Sequence, residues 1–315
     1  MVGAARIDVH QHTLPPHYVE ALTKRNMAMW AFPAFRPGGA SADSAIAMMD
    51  EHEIQTGILS LSAPGPYLGD NDEARMIARA TNERTAELVQ SRPDRFGMFA
   101  SLPLPDIDGA LEAVRHAYDE LQTDGVVLLA NSGGTYLGDA SFDPVMDELN
   151  RRDAVVLVHP SSLPGPPADG INPGIADFLL DTTRAAISMV LNGIPRRYPR
   201  LRIILSHAGG FLPYAAHRIA MTSSMLDQNS TMEQMLEDFS GFYFDTALSG
   251  SPTALPSLMA FAKPGHVLFG SDWPYADTSQ VKYFTDGLDG YPGFSQEDRA
   301  AINRTSALSL FPRLA

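Results

Sequence analysis

Four histidines and one aspartate in this 315-residue chain have the types and the placement to do chemistry together. His10 and His12 stand in IDVHQH, His159 in VLVHP, His207 in LSHAGG and Asp272 in FGSDWP, each at or just past the end of a short apolar run. Side chains two apart on a strand point the same way, so His10 and His12 project together. The chain has no cysteine, which excludes disulfides, thiolate nucleophiles, iron–sulfur clusters and cysteine-based zinc sites. Any metal ion must therefore be held by imidazoles and carboxylates. One histidine at a strand end reads as a hydrogen-bonded core residue; five polar residues delivered to one rim do not. The other five histidines carry less: His52, His116 and His217 fall in helical patterns, His17 in a mixed N-terminal stretch, and His266 before a strand.

Bringing those five residues to one rim requires a fold that ends several strands on the same side. Eight short runs rich in Val, Ile, Leu and Phe punctuate the chain, at 5–9, 57–61, 96–102, 125–129, 154–158, 201–205, 242–244 and 267–269. They are continuous rather than alternating, as strands covered on both faces should be. Helical patterns lie between them, at 43–53, 71–90, 109–122, 142–152, 175–192 and 255–262, and a last one at 295–311 opens on Ser-x-x-Asp. This alternation predicts a (β/α)8 TIM-like barrel, whose functional groups stand at the carboxyl ends of the strands. A doubly wound open sheet competes, but no G-x-G-x-x-G follows the first strand. Residues 1–315 read as one domain, with 13–40, broken by Pro33, Pro37, Gly38 and Gly39, as a cover over the barrel mouth.

The 23 Lys and Arg against 37 Asp and Glu give a net charge of −14. That balance argues against nucleic acid, whose binding rests on cations neutralising phosphates. No apolar run approaches the ~20 residues that a membrane span needs. The N-terminus leads straight into a strand without a signal-peptide apolar region, so a cytoplasmic protein is expected.

His-x-His on the first strand, His on the fifth and sixth and Asp on the eighth resemble the amidohydrolase superfamily. The phrases IDVHQH, VLVHP, LSHAGGFLPY, FYFDTA and FGSDWP are similar to its decarboxylase branch, typified by aminocarboxymuconate-semialdehyde decarboxylase and the hydroxybenzoate decarboxylases; SLSAPG after strand two resembles the methylsalicylate decarboxylases. The resemblance implies that His10, His12, His159 and Asp272 ligate one divalent metal, zinc or manganese, and that His207 is the catalytic base or proton shuttle, with Asp272 sharing in the proton handling. Hydrolases of the superfamily often bridge two ions with a carboxylated lysine on strand four; the three lysines here, Lys24, Lys263 and Lys282, fall at no strand end, so a single ion is expected. Arg218, eleven residues past His207, matches a family arginine that contacts the substrate carboxylate, in some members from the neighbouring subunit, which implies a homodimer or higher homo-oligomer. Arg36 is a candidate for a second family arginine, and Trp273 is placed to wall an aromatic substrate.

The expected activity is non-oxidative release of CO2 from a small aromatic or unsaturated carboxylic acid. A metal-dependent hydrolase of a lactone or amide would use the same ligands, with His207 activating water. A non-catalytic metal-binding barrel is the third reading. The missing lysine, Arg218 and the family phrases favour decarboxylation.

Overall fold

The computed structural model describes residues 5–36, 39–166, 168–226 and 230–315. Eight parallel strands follow one another in chain order: β1 (Arg6–His12), β2 (Ile54–Ser60), β3 (Phe96–Ser101), β4 (Gly125–Leu129), β5 (Val155–His159), β6 (Arg202–Leu205), β7 (Tyr243–Asp245) and β8 (Val267–Leu268). The barrel closes through the segment that follows β8: Val9 N donates to Phe269 O at 3.0 Å, Asp272 N to His10 O at 2.8 Å and His12 N to Trp273 O at 2.8 Å. The expected (β/α)8 barrel is the observed one.

The barrel's interior explains why its chemistry is confined to one rim. Ile7, Val9, Ile58, Phe99, Val127, Leu157, Ile204 and Leu268 fill the lumen, and Ala307, Leu310 and Phe311 from the C-terminal segment plug its lower end. Polar groups therefore have room only above this apolar layer, at the carboxyl ends of the strands. A second apolar layer, including Val114, Leu149, Met189 and Phe239, packs the strands' outer faces against the helices. Below, Arg6 is buried, donating to Asp289, Asn303 Oδ1 and His52 O, so the first strand is tied to the end of the chain.

Boundaries shift where tertiary contacts outrank local pattern. β1 continues to His12 instead of stopping at Val9, because His10 and His12 pair into the sheet while aiming at the rim. The predicted closing helix 295–311 is interrupted by a π turn at Ala301–Thr305. That wider turn lets Ile302 O accept from Phe269 N at 2.9 Å, so the C-terminal segment completes β8's hydrogen bonding. At the mouth lie a helix, Pro16–Lys24, and a 3₁₀ segment, Ala28–Phe35. Trp30 of the latter stacks on Phe178 with centroids 6.0 Å apart. Among the described residues no helix is long and apolar enough to cross a membrane.

Candidate metal centre

Each rim residue is held by the strand it ends. His10 and His12 project from the same face of β1, and their Nε2 atoms stand 3.1 Å apart. Asp272 Oδ1 lies 3.1 Å from the His12 Nε2 and 3.4 Å from the His10 Nε2. With His159, one ligand atom from each of the four residues lies within 4.8 Å of every other, and all four side chains are buried. Tetrahedral bonds of about 2.0–2.1 Å would separate ligand atoms by ~3.3–3.4 Å, close to the 3.1–3.4 Å found among His10, His12 and Asp272; with His159 the set stays within 4.8 Å.

The surrounding polar groups fix each ring. Asp245, ending β7, accepts from His10 Nδ1 at 2.7 Å, which turns Nε2 inward as a lone pair. The same carboxylate accepts from the His207 and Ala247 backbone N–H groups at 2.9 and 3.0 Å. Ser60 Oγ meets His12 Nδ1 at 3.1 Å, and His159 Nδ1 donates to Pro160 O at 2.8 Å. Asp8, fully buried, accepts from His10 N, Ser271 N and Ser271 Oγ and so joins the ends of β1 and β8. Gly270 is required here because a Cβ would come within 2.9 Å of His10 Cβ.

His207 and Asp272 both occupy the left-handed region, at φ 52° and 62°. Non-glycine residues rarely rest there without being held; Asp245 holds the first by its N–H and His10 O the second. Gly210, at φ 65°, completes the turn after β6, where a Cβ would meet Leu179 O at 2.1 Å. The turn aims His207 at the second carboxylate oxygen: Nε2 lies 3.4 Å from Asp272 Oδ2, and Nδ1 has no partner among the described residues. Asp272 thus faces the ligand cluster with one oxygen and His207 with the other.

The electrostatics match a cation site. Burial opposes a charged imidazole, yet Asp245 and Asp272 outweigh it and raise His10 to about 10. Burial lowers His12, and burial together with the neighbouring histidines pushes His159 well below its usual value, leaving both neutral as metal ligation requires. Burial also opposes ionisation of Asp272, but His10, His12 and His207 hold it well below the usual carboxylate range.

A cavity of about 780 Å³ opens above the cluster, with His159, His207 and Asp272 in its lining. Its walls include Trp30, Phe178, Tyr275, Leu248 and Phe284, and among the described residues no lysine or arginine lines it. Two sequence expectations change here, those for Trp273 and Arg36, and Arg218 is placed away from its own chain's cavity. Trp273 does not wall the cavity: it follows Asp272, so it points the opposite way and packs among Met48, Met49, Phe269 and Val281. Arg36 is also outside the lining; its guanidinium stacks over Phe32 at 4.7 Å and donates to Pro274 O at 2.9 Å, pinning the mouth segment to the loop after β8. Arg218 is exposed on the helix Leu212–Leu226 and does not reach its own chain's cavity. The other five histidines stay out of the ligand cluster. Asp245 ends a buried strand run as Asp272 does, but no spacing in the sequence marks its role, nor those of Trp30, Phe178 and Tyr275.

Residues 7–313 match the family model for amidohydrolases. The chain is 38% identical to the 6-methylsalicylic acid decarboxylase of Penicillium expansum, across 98% of this chain and 97% of that protein. It is 30% identical to the gamma-resorcylate decarboxylase of Rhodococcus jostii, across 85% of this chain and 87% of that one. The crystal structure of a 2,6-dihydroxybenzoate decarboxylase with its 2,6-dihydroxybenzoate superposes with a TM-score of 0.83 at 26% identity, covering 98% of this chain and 99% of that one. Barrel, ligand cluster and sequence agree: this chain belongs to the amidohydrolase family.

Proposed function

We propose that this chain is a mononuclear, divalent-metal-dependent, non-oxidative decarboxylase of a small hydroxylated aromatic acid. The carrying observation is the buried His10–His12–His159–Asp272 cluster at the floor of a cavity walled by aromatic side chains and, among the described residues, without lysine or arginine. Three neutral imidazoles and one carboxylate favour zinc, and the same mixed set accepts manganese. Polarising the acid's carboxylate and its ortho hydroxyl is the chemistry a bound divalent ion supplies there. Trp30, Phe178 and Tyr275 hold the ring edge-on to the floor and exclude water. His207 carries a proton to the ring carbon that bears the carboxyl, and Asp272 Oδ2 steadies the imidazole in both protonation states. The carbon–carbon bond then breaks, CO2 leaves and its electron pair returns to the ring. The apolar walls suit a substituent such as a methyl group on the second ortho position. CO2 release from a panel of hydroxybenzoates tests this reading; hydrolysis of lactones or amides, with no CO2 from any acid, would replace it with the hydrolase alternative.

The cavity's lack of a cation gives Arg218 its place. Along Leu212–Leu226, Tyr214, Met221 and Met225 form an exposed apolar stripe with Arg218 in its middle, and Tyr214 is 88% and Met225 77% exposed. A stripe that open suits a second copy of the chain, so the working enzyme is a homodimer or higher homo-oligomer. Each subunit is one barrel domain with 13–40, of which 37–38 lie outside the described residues, as its cover, and works in the cytoplasm. Arg218 then serves the neighbouring subunit's site, where its fork matches a carboxylate bidentately. Arg218→Met is expected to lower kcat/KM by roughly ten- to a hundredfold, the loss of one charge-assisted pair of about 1.5–3 kcal/mol. Mixed dimers of Arg218→Met and His207→Asn should recover activity, because one site regains both groups. Mixtures as inactive as either parent would place Arg218 out of the reaction or in its own site.

A further inference from the structure

We propose that Asp181 positions the metal ligand His159 through the peptide unit joining Pro160 to Ser161. Asp181 is fully buried near the start of the helix Asp177–Leu191 and does not line the cavity above the cluster. Its carboxylate accepts from Ser161 N at 2.8 Å, from the Tyr136 hydroxyl at 2.8 Å, and from Asn131 Nδ2 at 3.0 and 3.1 Å. The carbonyl of that same peptide unit, Pro160 O, accepts from His159 Nδ1 at 2.8 Å. A peptide is planar, and its N–H and C=O point to opposite sides. A carboxylate on the N–H therefore fixes the plane and increases the negative charge on the oxygen beyond it. A carbonyl can only accept, so His159 carries its proton on Nδ1 and presents Nε2 as a lone pair to the ion.

This arrangement parallels the one behind His10. There Asp245 takes the imidazole N–H directly; behind His159 the carboxylate stands one peptide further away. Carboxylates behind metal-bound histidines raise ligand basicity and fix the ring. Asn131 also donates to Ser162 O at 3.0 Å and accepts from Gly134 N at 3.0 Å, so the network joins the turn after β4 to the loop after β5. A loop staple alone would not need an ionisable carboxyl in a buried place, where its charged form is costly to desolvate. Burial raises Asp181 above the usual carboxylate value, and the Ser161, Tyr136 and Asn131 donors and the charge of the exposed Arg184, three residues further along the helix, work against that rise.

The inference rests on the metal centre and is independent of which acid is decarboxylated. Zinc affinity by chelator competition and the visible spectrum of the cobalt-loaded protein are measured for the wild type, Asp181→Asn, Tyr136→Phe and, as a positive control, Asp245→Asn. Asp181→Asn should weaken zinc binding by roughly tenfold or more, the range seen for groups behind metal ligands, and should shift the cobalt bands. Tyr136→Phe removes one donor but keeps the charge and the relay, so its affinity and spectrum should stay near wild type. If Asp181→Asn does not fold, Ser161→Pro, which deletes the relaying N–H and keeps the carboxylate, should show the same weakening. Wild-type affinity and unchanged bands in the folded Asp181 variant, or in Ser161→Pro, would overturn the relay. Equal weakening by Tyr136→Phe would reduce the network to a staple. A wild-type chain that takes up neither zinc nor cobalt would instead overturn the metal centre itself.

Discussion

Asp272→Asn is expected to release the ion and to lower kcat by about a thousandfold or more, and His10→Ala should do the same. Lewis-acid stabilisation is worth several kcal/mol, and each 1.36 kcal/mol is tenfold in rate. Asp272 bears more than a ligand's share, because its Oδ2 also faces His207 Nε2 at 3.4 Å. Asparagine tolerates the left-handed conformation that position 272 adopts at φ 62°, so loss of function in this variant reports chemistry rather than a broken turn. Metal content of the purified variant, measured beside its CO2 release, checks both halves. A variant that keeps one ion per chain and wild-type turnover would remove Asp272 from the site.

His207→Asn should behave differently: the ion stays and turnover stops. His207 stands outside the four-residue ligand cluster, and beside the cavity its Nδ1 has no partner among the described residues. A positioned proton donor contributes about 10²–10⁴-fold, and that is the expected drop in kcat. Asparagine again suits the backbone, since His207 sits at φ 52°. The Asp245 carboxylate would keep accepting from the residue's N–H as it does now at 2.9 Å. Loss of the ion in this variant would reassign His207 as a ligand.

The barrel and its metal ligands were legible in the sequence for a common reason. A strand buried on both faces is a continuous apolar run, and a polar residue closing such a run has nowhere to go but the rim. His10, His12, His159, His207 and Asp272 all satisfy that rule. Asp245 satisfies it too, but nothing in one sequence says that its carboxylate turns behind His10 rather than toward the ion. Trp273 shows the limit of adjacency: successive residues diverge, so the tryptophan beside a ligand faces the helices. The cavity walls come from segments far apart in sequence, with Trp30 meeting Phe178 across the mouth, and no periodicity marks such a contact. The π turn at Ala301–Thr305 was hidden for the same reason, since it answers a hydrogen bond owed to Phe269 rather than any local preference.

Metal titration of the stripped enzyme, followed by CO2 evolution from an ortho-hydroxybenzoate such as 6-methylsalicylate, tests the central claim most directly. The metal-free chain should release no CO2, because no other Lewis acid stands at the cluster to polarise the acid. Activity should then rise in proportion to added zinc or manganese and level off at one ion per chain, the capacity of the single His10–His12–His159–Asp272 cluster. CO2 release at full rate from the stripped chain, or a requirement for two ions per site, would contradict the account.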